Sequence, residues 1–177
     1  MSPNKVFFSV ALLTTSVVAA VVSFASPGWS WGQVCGSPST AQLMSADGAD
    51  VGDVHIWNSD GVLHTQFVPA DGWRITGVQY LPMRFYSEMP TTADGSLDYQ
   101  RFTYQRSYTT PMMGTTFQTA TASDWELGAD LHIAGRLVLV KVDANGQVTE
   151  QTTAWGEGKR SYNGAQYFKH TIQPCSG

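Results

Sequence analysis

Short runs of β-prone residues, separated by turn residues, follow one another along most of the chain. After residue 40 no apolar stripe of useful length has helical spacing. The runs that predict strands are 53–57, 62–68, 74–81, 101–108, 115–121, 130–142, 147–153 and 165–173. Several short strands at this spacing are typical of an antiparallel sandwich or barrel. We therefore predict an all-β protein, a single antiparallel β-sandwich of about eight strands with jelly-roll or immunoglobulin-like connections.

Two turn sequences predict where neighbouring strands pair. Residues 58–61 (NSDG) join the first two runs, and residues 143–146 (DANG) join the sixth and seventh. Because Asp-Gly and Asn-Gly supply the positive φ that hairpin turns need, both connections are predicted to be β-hairpins. The sequence LHIAGRLVLVKV in run 130–142 is the most apolar and is predicted to lie centrally in the sheet. In the last run, alternation predicts that Phe168 and Ile172 point inward.

The first residues predict export from the cell. Lys5 is followed by an uncharged, largely apolar run over residues 6–25, and a small-x-small cleavage site lies at residues 23–25. The run also has about the ~20 residues that a bilayer requires, so an uncleaved membrane anchor is the alternative. We predict a signal peptide at 1–25, an extended leader at 26–40 and one β-sandwich domain at 41–177. The membrane would then be a partner only through an uncleaved signal segment.

The two cysteines strengthen the prediction of export. Cys35 lies near the predicted mature N-terminus, and Cys175 lies two residues before the last residue of the sequence. In an oxidising compartment such a pair predicts one disulfide that ties the two ends of the domain together. We therefore expect a secreted protein, located outside the cell or in the cell envelope.

The charge balance excludes one class of partner. The chain has 10 Lys+Arg against 14 Asp+Glu, a formal net charge of −4, and loss of Lys5 with the signal peptide makes the mature chain more acidic. Since binding to phosphates requires a basic surface, nucleic acid is not expected as a partner.

Three segments of the chain resemble known motifs. They are ADVGDVHIWNSDGVLHTQFVPADGWRITGVQYL (49–81), LGADLHIAGRLVLV (127–140) and TTAWGEGKRSYNGAQYFKHTI (152–172). Together they resemble a group of secreted bacterial and archaeal β-sandwich modules that carry a GWxLT strand and an AWGxG…YFxYTI terminus. The resemblance covers residues 41–172 and implies the sandwich fold, but it implies no catalytic or binding residue. Gln79 stands where those modules commonly have histidine, and Gln166 or its neighbour where they have tryptophan.

The segment 152–172 has two interpretations. Gly156 and Gly158 permit a backbone path that β-branched residues cannot follow, which would let Trp155 fold over the sheet edge as a structural plug. The alternative is a ligand-binding loop in which Trp155 acts together with Glu157, Lys159 and Arg160.

Aromatic residues make up 12% of the chain, more than a core of this size obviously needs. Exposed rings offer flat platforms for sugars, with polar side chains to bond the hydroxyl groups. The alternative is that most of the rings fill the core. The candidate ligand-binding residues are Trp73, Trp125, Trp155, Glu157 and Arg160.

Histidines raise the question of a metal. A four-residue turn at 58–61 would place His55 opposite His64, whereas a two-residue turn would pair Trp57 with His64. No third ligand is predictable, so no metal site is assigned and no cofactor is expected. Calcium is a weak alternative to an ordinary solvated turn in the sequence ADGADVGD, which contains Asp47, Asp50 and Asp53.

The sequence contains no G-x-S-x-G elbow, P-loop or H-E-x-x-H motif. We therefore expect a secreted, non-enzymatic binding protein whose partner is a glycan or a surface protein. One alternative is a small secreted hydrolase or lyase that uses carboxylates near Glu157 or within residues 83–100. Another is a self-assembling surface or filament subunit whose edge strands pair between chains.

Overall fold

The computed structural model describes residues 34–59, 61–120, 125–160 and 166–175, with the backbone alone at residues 120, 159 and 160. The predicted signal peptide and most of the predicted leader lie outside the described residues. Within the part of the chain that is described, no helix has the length and apolar character needed to cross a membrane.

The described residues form ten strands and two short 3₁₀ helices, which confirms the all-β prediction. The strands are β1 Cys35–Ser45, β2 Asp50–Ser59, β3 Val62–Pro69, β4 Trp73–Met83, β5 Tyr104–Met112, β6 Thr115–Ala120, β7 Asp130–Val142, β8 Val148–Gly156, β9 Lys159–Arg160 and β10 Gln166–Thr171. The 3₁₀ helices are η1 Tyr86–Glu88 and η2 Tyr99–Arg101. Strand β1 begins at Cys35, so the last residues of the predicted leader belong to the sheet.

The strands pair antiparallel in the order β5-β4-β7-β8-β1-β2-β3-β6, and β10 pairs with the first part of β7. Strand β7 has partners along both edges, which confirms its predicted central place. The first and last strands of this order meet through side chains. Nη1 of Arg106 on β5 donates to the carbonyl of Thr116 on β6 at 3.1 Å, and the hydroxyls of Tyr108 and Thr115 lie 2.5 Å apart. The sheet is therefore curled almost into a closed barrel.

The inner face of the curled sheet holds the main core. Phe67 of β3 lies at its centre, with its ring centroid 6.0 Å from that of Tyr80 and 6.1 Å from that of Phe117. Opposite Phe67, a Cβ at Gly135 would lie 3.2 Å from the phenyl ring, so the ring occupies the space that a side chain on β7 would take. Phe168 and Ile172 also join this core, as the alternation of β10 predicts.

Both predicted hairpins are present. Ser59 pairs with Val62, so the first hairpin has a two-residue turn, in which Gly61 has φ +75°. In the second hairpin Gly146 has φ +77°. The two-residue turn pairs Trp57 with His64, and their rings stack with centroids 5.0 Å apart. His55 pairs instead with Gln66, so the two histidines do not face each other.

The segment over residues 84–103 forms a partial second layer on the outer face of the sheet. Its apolar side chains pack on residues of β4, β7 and β10 that point away from the main core. This outer cluster contains Met83, Met89, Phe102, Ala134 and Tyr167, with Leu81, Leu97 and Tyr99 packed against it. The segment covers one part of the outer face. The candidate site lies along its border, where Tyr99 contacts Trp155 and Arg136.

The two ends of the domain are fastened to each other. A disulfide joins Cys35 and Cys175, as predicted. Beside it, Asn58 Nδ2 donates to the carbonyl of Gln173 at 2.8 Å, and the Gln173 amide donates to Asn58 Oδ1 at 3.0 Å. The C-terminal segment is thus held against β2 by both covalent and hydrogen bonds.

Candidate functional site

One side chain from each of five neighbouring strands forms a row across the outer face. Pairing places Gln105 beside Gln79, Gln79 beside Arg136, Arg136 beside Trp155, and Trp155 beside Met44. Four inter-strand steps of ~4.8 Å give this cross-strand row a length of about 19 Å. Polar and aromatic groups are therefore aligned over a distance greater than a single sugar residue.

The period of two along each strand produces the row. Leu137 and Leu139 of β7 point into the main core, so Arg136 points outward. On β8, Ala154 is buried in the core, and Trp155 is directed to the outer face. A shift of the strand register by one residue would move the core side chains to the outer face. The register that buries the core therefore also fixes the positions of the side chains in the row.

Tyr99 links the row to the covering segment. Trp155 Nε1 donates to the Tyr99 hydroxyl at 2.8 Å, and the Arg136 guanidinium lies over the Tyr99 ring at 5.2 Å from its centroid. Burial raises the pKa of Tyr99, so its hydroxyl stays protonated at neutral pH and able to accept from the indole. Tyr99 thereby forms a wall along one side of the row and holds Trp155 half-buried with a fixed orientation.

A cleft of about 330 Å³ opens at the Trp155 end of the row. Strands β1, β8 and β10, with the turn after β1, provide its walls. The lining residues are Met44, Ser45, Ala46, Gly48, Trp155, Glu157, Gly158 and Gln166. An indole, an exposed carboxylate and an amide thus converge on one concave surface, which is a common composition for a ligand site.

The glycines of the predicted loop are required by close approach. A Cβ at Gly156 would lie 2.4 Å from the ring of Phe168, and a Cβ at Gly158 would lie 2.1 Å from the carbonyl oxygen of Tyr167. The prediction that Trp155 folds over a sheet edge is wrong. Strand β8 has a partner on each side at Trp155, so this residue lies on an interior strand and its indole projects from the face of the sheet.

A second, smaller depression of about 120 Å³ lies at the other end of the row. Its lining residues are Gly77, Val78, Gln79, Gln105, Arg106, Ser107, Arg136 and Val138. Arg136 thus belongs both to the row and to this depression, next to Trp155 on the neighbouring strand.

The structure brings together two of the five predicted ligand-binding residues, Trp155 and Glu157. Trp73 is only 8% exposed and belongs to the main core, with the ammonium group of Lys141 over its ring at 5.6 Å. Trp125 is half-buried and packs against the same core. For Arg160 the structure describes the backbone, which pairs with Gln166 in the short β9–β10 ladder.

Arg136, Gln79 and Tyr99 were missed by sequence reasoning. A charged residue in the apolar run LHIAGRLVLV was a signal for Arg136, because an arginine at an outward position of a central strand must face solvent or a polar site. Tyr99 gave no comparable signal, since its place depends on the path of residues 84–103.

Within the described ranges, no group of three His, Cys, Asp or Glu side chains is arranged to hold a metal ion. The aspartates of the turn after β1 bond within the chain. Asp47 accepts from the Ser45 hydroxyl, which lowers its pKa, and Asp50 accepts from the amide of Gly52 at 3.0 Å and from Gln42 Nε2 at 3.1 Å.

No protein-family model, curated protein or solved structure gives a significant match to this chain.

Proposed function

We propose that the protein is a secreted, non-enzymatic binding protein whose ligand is a carbohydrate held along the cross-strand row. The observation that carries this proposal is the position of Trp155, half-buried at the wall of a cleft of about 330 Å³ that also contains Glu157 and Gln166. A fixed indole provides a flat apolar surface for a sugar ring, and the carboxylate and amide provide partners for its hydroxyl groups.

Rigidity of the site supports binding. The row lies on paired strands, and Trp155 is oriented by its hydrogen bond to Tyr99. A side chain already fixed in the free protein loses little conformational entropy when the ligand arrives, which favours affinity.

We also infer that the curled sheet is flattened into two facing halves, the predicted sandwich. The packing of Phe67 on β3 against Gly135 on β7, and the 2.7 Å hydrogen bond between the hydroxyls of Thr65 and Tyr80, support two layers in direct contact. Export is supported by the predicted signal peptide and by the disulfide between Cys35 and Cys175.

A binding assay with the purified, disulfide-bonded protein tests the function. Tryptophan fluorescence and co-sedimentation would be measured against soluble and insoluble polysaccharides, including those of the producing organism's envelope. We expect saturable binding that Trp155→Ala weakens at least tenfold, because truncation of a central aromatic anchor costs about 2 kcal/mol or more.

Trp125→Ala is the matched control. It removes an indole that packs against the edge of the core and does not line the cleft, so binding should survive in the folded variant. Absence of binding to every polysaccharide, or equal loss in both variants at equal stability, would overturn the proposal. Concentration-dependent light scattering would then support the alternative of a self-assembling subunit.

A further inference from the structure

The depression at the Gln105 end of the row is lined on β4 by Gly77, which has no side chain. A Cβ built there would lie 3.5 Å from Cγ2 of Val138, an ordinary contact distance, so this position has room for a methyl group. Gln79, Gln105 and Ser107 surround the space with groups that can bond hydroxyls. The depression therefore has polar walls. The contacts around Gly77 would allow a methyl group there, so packing alone does not require this space to be empty.

Arg136 is held in position for a planar anion. Its Nη1 donates to Gln79 Oε1 at 2.7 Å, and its guanidinium rests over the Tyr99 ring at 5.2 Å from the centroid. These contacts fix the plane of the guanidinium while the depression keeps one side of it accessible. A guanidinium held in this way binds carboxylates bidentately and loses little entropy in doing so.

The charge of Arg136 has no carboxylate partner among the described residues. The ion pairs in this part of the chain are Lys141 with Glu150 and Lys169 with Asp130, both away from the row. The partners of the guanidinium are an amide oxygen and an aromatic ring, neither of which carries a charge. An anionic ligand would supply the missing counter-charge in a half-buried setting, where screening by water is reduced.

We propose that the glycan is acidic, with a uronic acid whose carboxylate binds Arg136 while a neutral sugar lies on Trp155. This inference rests on the proposed function and specifies its ligand class. Arg136 and Trp155 lie on neighbouring strands, one step of ~4.8 Å apart, so two consecutive sugars of one chain can lie over them. Glu157 at the opposite end disfavours a second carboxylate there, and this places the charge of the ligand at the depression.

The probes are uronic-acid polysaccharides that contain galacturonate, glucuronate or mannuronate and guluronate, each compared with its carboxyl-reduced counterpart. Reduction converts the carboxylate to a primary alcohol and leaves the rest of the polymer unchanged. We expect at least one acidic polymer to bind at least tenfold more tightly than its reduced form. Arg136→Gln should abolish this difference, and Arg136→Lys should restore only part of it, because an ammonium group cannot form the planar bidentate pair.

Two further variants distinguish recognition of the carboxylate at the depression from an effect of the protein's net charge. Arg74→Gln removes the same charge from β4 at a side chain that donates to the Trp73 carbonyl and does not line the depression, so the acidic preference should persist. Gly77→Ala keeps every charge and places a methyl group in the depression at an ordinary contact distance from Val138, so it should reduce the preference while its Tm stays near that of the wild type.

The outcomes distinguish this inference from the function on which it rests. Binding that depends on Trp155 but is equal for acidic and reduced polymers would overturn the acidic ligand and leave the carbohydrate function in place. A preference for acidic polymers that Arg74→Gln removes as completely as Arg136→Gln would also overturn it, since net charge alone would then explain the result. Failure of every polymer to bind would overturn both proposals.

Discussion

His170 lies on the inner face of β10 with only 1% of its surface exposed. Its Nδ1 is 2.9 Å from the Ser39 hydroxyl, and its Nε2 is 3.3 Å from Asn58 Oδ1. Asn58 Nδ2 donates to the Gln173 carbonyl, so Oδ1 acts as an acceptor and Nε2 of the histidine carries the proton. The neutral ring satisfies both partners, and burial lowers the pKa of His170 to about 4. Through Asn58, His170 contacts the segment that holds Gln173 against β2, so the stability of this contact depends on pH.

The sign of this linkage predicts how stability depends on pH. The unfolded chain, in which the histidine pKa is 6.5, takes up a proton before the folded protein does, so acid favours unfolding. The free energy of unfolding should rise between about pH 4 and pH 6.5, by roughly 3 kcal/mol in total, and stay level above that range. Urea denaturation at a series of pH values measures it.

His170→Gln is the variant that isolates this effect, because glutamine keeps hydrogen-bonding groups at this buried position and does not titrate. Its stability should lose most of the slope between pH 4 and 6.5, and His64, whose pKa burial also lowers, contributes the remainder. Asp130, whose pKa is lowered by hydrogen bonds from Thr171 and Lys169, contributes stability that is lost only at lower pH. A slope that is the same in the variant and the wild type would contradict the assignment to His170.

The covering segment over residues 84–103 is the element on which the site depends most. Its outer cluster is separate from the main core, and Phe102 is its most buried member from the segment, at 2% exposure. Since the segment also supplies Tyr99, packing in the outer cluster determines how firmly Trp155 and Arg136 are held.

Phe102→Ala should therefore loosen the segment while the curled sheet stays folded. Loss of a buried phenyl ring costs about 3–5 kcal/mol, enough to release a local layer. Hydrogen exchange should accelerate at residues 84–103 and remain slow in β7 and β8, and ligand affinity should fall. As a comparison, Phe117→Ala removes a ring of similar burial from the main core and should destabilise the whole domain. Uniform acceleration in both variants would show that the two clusters unfold as one unit.

The sequence predicted the elements that have strong local signals. The hairpins followed from Asp-Gly and Asn-Gly, and β7 followed from its apolar run. Strand β1 lies in none of the predicted runs, and residues 35–40 were assigned to the leader because GSPST is small and polar; most of these side chains are exposed. Trp155 and Glu157 were identified as candidates from their types, but the row was not predicted, because it depends on the register of five strands and on the fold of residues 84–103.

At the scale of the described domain, β5 and β6 bring the two edges of the sheet together, and a disulfide joins Cys35 to Cys175. The disulfide spans a sequence separation of 140 residues, so reduction would release most of the domain from a covalent loop. A loop of this length greatly restricts the unfolded chain.

Replacement of both cysteines, as Cys35→Ser with Cys175→Ser, should lower the free energy of unfolding by about 2–5 kcal/mol. The physical reason is the greater freedom of the unfolded chain, since the hydrogen bonds between Asn58 and Gln173 remain available to the folded variant. Urea denaturation of the variant and of the reduced wild type should give the same midpoint, below that of the oxidised protein. An unchanged midpoint in both would show that the disulfide constrains the unfolded chain far less than its length suggests.

The disulfide between Cys35 and Cys175 also determines how the domain responds to mechanical load. If the chain is pulled on both sides, before Cys35 and after Cys175, the force passes directly from one sulfur to the other. The ladders between the strands then lie outside the line of tension and are not sheared. Under oxidising conditions the folded domain would transmit tension without stretching, whereas the reduced protein would have to carry the same load through β1 and β10.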